Sequence, residues 1–139
     1  MKRRLRGAAL VEFALAWPIA LLIVLATVEA AVWAEEAYAA RSAAIAGSRA
    51  GAVAGGSAAV AAAVTLRTLR AGLVGVIPKP WCPGVSVAPP PVWVCAADLG
   101  QSIEVEVGGY VPALVPLAPG SMGLPLRAHV VLPKEEFTL

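Results

Sequence analysis

An apolar run from Ala8 to Val28, with Glu12 as its only charge, limits what this chain can become more than any other feature. As a helix its twenty-one residues span about 31 Å at about 1.5 Å each, roughly the hydrocarbon thickness of a bilayer. The run is too long for one strand and too apolar all round for a surface helix. A membrane-spanning helix at the N-terminal end is therefore expected. Glu12 is the anomaly, because an ionised side chain inside such a span costs on the order of 2.5–3.5 kcal/mol. It needs a cationic partner or a shallow position.

Lys2, Arg3, Arg4 and Arg6 precede the run, and Gly7 separates them from it. A cut between Gly7 and Ala8 would give Ala8 a free ammonium and make Glu12 the fifth residue of the shortened chain. The carboxylate would then lie one turn from its own amine, near unpaired backbone N–H groups and the positive end of the helix dipole. In a bundle, Glu12 could instead pair with the Ala8 amine of a neighbouring copy.

Gly7, four apolar residues and then Glu12-Phe13 resemble the cleavage motif of type IV prepilins. The fuller string from Arg6 to Leu15, with Pro18 and Leu21-Leu22, is similar to the TadE-like pilin and pseudopilin family of the tight-adherence (Tad, Flp-type) pilus. The clear likeness covers roughly residues 6–50. A weaker echo of the family's closing strand runs from Gly123 through Arg127 to Glu135-Glu136. The resemblance implies cutting at Gly7–Ala8 by a membrane prepilin peptidase. It also implies a filament-assembly role for Glu12 and Phe13, with other Tad/Flp pilins and the pilus assembly machinery as partners. It further implies a bacterial inner or cytoplasmic membrane location, and a minor rather than major pilin role for so long a chain.

Two rival readings of the N-terminus remain open. A secretory signal has the same basic head and apolar core, and Ala26, Ala30, Ala31 and Ala34 could form its cleavage site. Glu12 in the core and the length of the run count against it. The other is an uncleaved single-pass anchor with Glu12 snorkelling to the headgroups, carrying an extracytoplasmic binding domain that never polymerises. Net charge is +2, but without the four basic residues before Gly7 the side chains sum to −2. The basic character belongs to the leader, so no nucleic-acid partner is expected. The basic head favours an N-inside, C-outside orientation.

Beyond the run, Trp33 and Tyr38 suit the outer interface, and Glu35, Glu36 and Arg41 place the helix in water. Pro18 predicts a kink. Gly47, Gly51 and Gly55 recur every fourth residue, with Ala43 and Ala59 in the same row. Such a stripe allows close helix packing, either between subunits or onto this chain's own sheet. Gly55-Gly56 predicts a bend, followed by helix from Ser57 to Ala71 with Arg67 and Arg70 in its last turn.

After Gly72 the prolines crowd in and long helices are excluded. Strands are expected at 73–77, 92–95, 103–107 and 127–132, most firmly where Ile103-Glu104-Val105-Glu106-Val107 alternates. The expected fold class is α+β. A leader (1–7) precedes a membrane or filament-core helix (8–34) and a helical continuation (35–71). A small, Pro-rich antiparallel sheet domain, pilin-like in plan, follows at 72–139. Cys82 and Cys95, the only cysteines, bracket a Pro-rich loop. Outside the cytoplasm a disulfide is their default state, although two free thiols stay possible. Trp81 and Trp93 beside them either pack against the bridge or offer a partner contact. His129 is the only histidine. No nucleophile motif, phosphate loop or metal spacing is present, so neither catalysis, a cofactor, a metal nor a small-molecule substrate is expected.

Overall fold

The computed structural model describes residues 3–114 and 123–135. Its order is helix α1 (Arg3–Ala52), helix α2 (Ala58–Gly72), then strands β1 (Lys79–Pro80), β2 (Val92–Asp98), β3 (Ser102–Val111) and β4 (Leu124–Pro133). The class is α+β, a long apolar helix followed by a short helix and a small sheet.

Helix α1 runs unbroken through Pro18. It ends where Gly55, at φ 77°, turns the chain. Ser57 then caps α2, its hydroxyl accepting from the Val60 N–H. The second helix does not extend the first. It doubles back as an antiparallel hairpin, so that Ala61 lies against Gly51, Thr65 against Gly47 and Gly72 against Ala39.

The sheet order is β1-β2-β3-β4. Strands β2, β3 and β4 form an antiparallel meander, with Val94 opposite Val107 and Val107 opposite Ala128. Strand β1 joins β2 in parallel through Lys79 and Pro80, a departure from the all-antiparallel expectation. Ile103, Val105 and Val107 are buried, whereas Glu104 and Glu106 turn outward. The inner face meets the hairpin, α1 covering β3 and β4 while α2 lies over β2. Ala40, Ala43 and Ala44 of α1, Ala61 and Leu69 of α2, and Val92, Val105 and Leu126 of the sheet form one core.

The expected strand at 73–77 is not formed. Leu73 closes α2, its N–H donating to the Leu69 carbonyl, and the Val74 N–H reaches the Glu36 carboxylate at 3.5 Å. Gly75 then adopts φ 74°. A β-branched composition is a weak preference, and here the chain needs a reversal between helix and sheet.

Candidate processing and assembly site

Gly7 and Ala8 lie within the first turns of α1, and their surroundings fall outside the described side chains. Glu12 is exposed and has no hydrogen bond or ion pair to another described residue. Phe13 is 65% exposed and stacks on Trp17, with ring centroids 6.1 Å apart. From Leu10 to Val28 every side chain is exposed, and the apolar surface faces all directions around the helix. A helix this long and apolar could cross a membrane. Such a surface needs lipid or other apolar helices around it.

The glycine stripe divides. A β-carbon at Gly47 would overlap the Thr65 hydroxyl and the Ala61 carbonyl, and one at Gly51 would crowd Ala61 and Ile103. Both glycines therefore serve contacts within the chain, with α2 as the principal neighbour rather than the sheet alone. Gly55 is no packing residue. It sits in the turn with positive φ and open space around it, because the helix has already ended.

Cys82 and Cys95 form a disulfide, with Cα atoms 4.8 Å apart. Trp81 and Trp93 meet edge to face beside it at 5.2 Å, and both are half-buried. The Trp81 indole N–H donates to the Val87 carbonyl at 2.9 Å. Trp93 lies flat over Gly108, where any side chain would occupy the indole's place.

Three contacts that the sequence did not announce tie the sheet domain to α1. The Glu29 carboxylate accepts from the Leu114 N–H at 2.9 and 3.0 Å. The Trp33 indole N–H donates to the Pro125 carbonyl at 3.0 Å. The third is the Glu36–Val74 contact. Glu29 reads in the sequence only as a charge beyond the span, and nothing local marks a loop 85 residues away as its partner. Around Glu29, the side chains of Leu22, Leu25, Ala26, Trp33 and Leu124 enclose an apolar crevice of about 230 Å³.

At the opposite end of the domain the charges are paired. Lys134 Nζ lies 2.7 Å from both carboxylate oxygens of Asp98. That hydrogen bond, helped by the Gly100 N–H, holds the Asp98 carboxyl below its usual range. On the outer sheet face His129 Nε2 lies 2.6 Å from Glu104, which accounts for the lone histidine as an exposed cross-strand pair. Among the described residues no three His, Cys, Asp or Glu side chains are grouped to hold a metal.

Residues 7–53 match the TadE-like protein family. No curated protein and no solved structure matches the chain. The TadE-like segment opens at Gly7, carries Glu12 and Phe13, and closes within a residue of the end of α1 at Ala52. The hairpin's second helix and the sheet lie beyond it.

Proposed function

We propose that this protein is a TadE-like minor pilin or pseudopilin of a tight-adherence pilus. It is held in the membrane N-in and C-out, cut by a prepilin peptidase between Gly7 and Ala8, and passed into a filament. The observation that carries the reading is the TadE-like match beginning at Gly7, on a helix whose apolar surface is uncovered by the chain itself. Its role is structural: the chemistry is done to the chain, not by it.

In this mechanism the cut removes the basic leader and leaves the Ala8 ammonium to neutralise Glu12, its own or a neighbour's. The charge then ceases to oppose helix packing in an apolar filament core. Gly47 and Gly51 are occupied by α2, so contact between subunits falls to the helix surface from Leu10 to Val28. The sheet domain faces outward.

A Glu12→Gln variant keeps the shape and removes the charge. One charge-assisted pair contributes on the order of 1.5–3 kcal/mol, so incorporation should fall at least about tenfold. The measurement is the amount of protein in sheared surface filaments relative to the membrane fraction. Wild-type protein that stays wholly in the membrane of piliated cells, with Glu12→Gln indistinguishable from it, would favour a tethered binding domain instead.

A further inference from the structure

The two ends of the sheet domain differ in chemistry. The end farthest from the span holds Asp98, Lys134 and Glu135. The near end has no charged side chain in its described loops, at residues 73–78, 88–91 and 112–114. Several apolar side chains there are well exposed: Val74 72%, Ile77 67% and Leu114 60%. Uncharged, exposed apolar loops on three separate segments are uncommon on a surface that meets only water.

The three tethers set the height of this end. If the hydrocarbon span closes at Val28, Glu29 and its partner Leu114 lie at the boundary. Trp33, with Pro125, stands about 7 Å above it, and Glu36, with Val74, about 12 Å above it at about 1.5 Å per residue. The Pro-rich turn before β2 shares the middle level, because the Pro91 carbonyl accepts from the Tyr110 N–H at 2.7 Å and Tyr110 pairs with Pro125. The headgroup layer of one leaflet adds about 5–7 Å beyond the core. The 112–114 loop therefore starts within that layer, the turn at 88–91 lies at its outer edge, and Val74 stands about 5 Å beyond it. The first charges above the two lower loops are Glu35, Lys79 and Arg127. Trp33 at this depth fits the preference of indoles for the interface.

We infer that the uncharged base of the sheet domain, formed by the loops at 88–91 and 112–114, is a lipid-contact surface that rests in the outer-leaflet interface. The partner is the bilayer around the chain's own helix, and the tethers at Glu29, Trp33 and Glu36 hold the domain down on it. The inference rests on α1 spanning the membrane with its C-terminal side outside. It does not need cleavage or polymerisation.

The test uses the full, uncut chain in phosphatidylethanolamine–phosphatidylglycerol nanodiscs at one copy per disc. Both native cysteines are bonded to each other, so single variants Leu114→Cys, Pro91→Cys, Val53→Cys and Leu99→Cys can each carry an environment-sensitive fluorophore, with Leu22→Cys marking the span. Headgroup-level nitroxide lipids should quench positions 114 and 91 several-fold more than 53 and 99, with aqueous iodide giving the reverse order. Iodide access at both 114 and 91 equal to that at 53 would overturn the proposal, as would protection that appears only when several copies share a disc, since a neighbouring subunit would then be the cover. Two base positions are read independently, so failure of one variant to fold leaves the other decisive. Loss of lipid quenching at position 22 overturns the proposal at its root, and identifies the spanning helix as the step that failed.

Discussion

Gly47→Val is expected to unfold the helical hairpin, at a cost of about 3 kcal/mol or more. Helix propensity alone gives the opposite sign, since even Gly47→Ala should gain about 1 kcal/mol in a free helix. Packing decides. The added β-carbon meets the Ala61 carbonyl, which is backbone, and the Thr65 hydroxyl. Thr65 is fully buried and donates to that same carbonyl at 2.8 Å, so it cannot swing away without leaving its own buried hydroxyl unsatisfied. The helices must separate, and the alanine-rich core between them loses contact along its length. Thermal unfolding in detergent, followed by circular dichroism, would measure this. Gly47→Ala that stabilised the protein would mean that α2 does not pack on α1 here.

Removing the disulfide is the second large effect. Cys82 and Cys95 are 13 residues apart, and closing a loop of that size stabilises by about 3 kcal/mol in the chain-entropy model. The bridge fixes a Pro-rich loop that otherwise hangs on few bonds, chiefly the Trp81 N–H to the Val94 carbonyl at 3.0 Å and the two-residue β1 ladder. Cys82→Ser with Cys95→Ser should lower the melting temperature and weaken the near-ultraviolet signal of the Trp81–Trp93 pair. Reductant should do the same to the wild type and nothing to the double variant. An unchanged melt on reduction would show that the loop is held by its other contacts.

Some of this architecture was legible because it rests on local periodicity and length. The apolar run from Ala8 to Val28, the period-two pattern at Ile103–Val107 and the isolated cysteine pair each point to one structure. The stripe of Gly47 and Gly51 was half legible. Four-residue spacing announces close packing but carries no information on which helix approaches, and the answer depended on whether Gly55-Gly56 bends the chain slightly or reverses it. The tethers were not legible at all. Glu29, Trp33 and Glu36 look like ordinary interfacial residues until the fold brings Leu114, Pro125 and Val74 beside them. The β-branched 73–77 segment misled because its backbone donor at Val74 is spent on Glu36 and Gly75 turns the chain.

The proposed role rests on a cut between Gly7 and Ala8. Its most direct test is the intact mass of the membrane-isolated protein, with and without a co-expressed prepilin peptidase, beside a Gly7→Ala variant. The expected result is a peptidase-dependent loss of residues 1–7 that Gly7→Ala blocks. A full-length mass in the presence of active peptidase, or a cut beyond Ala26, would contradict it.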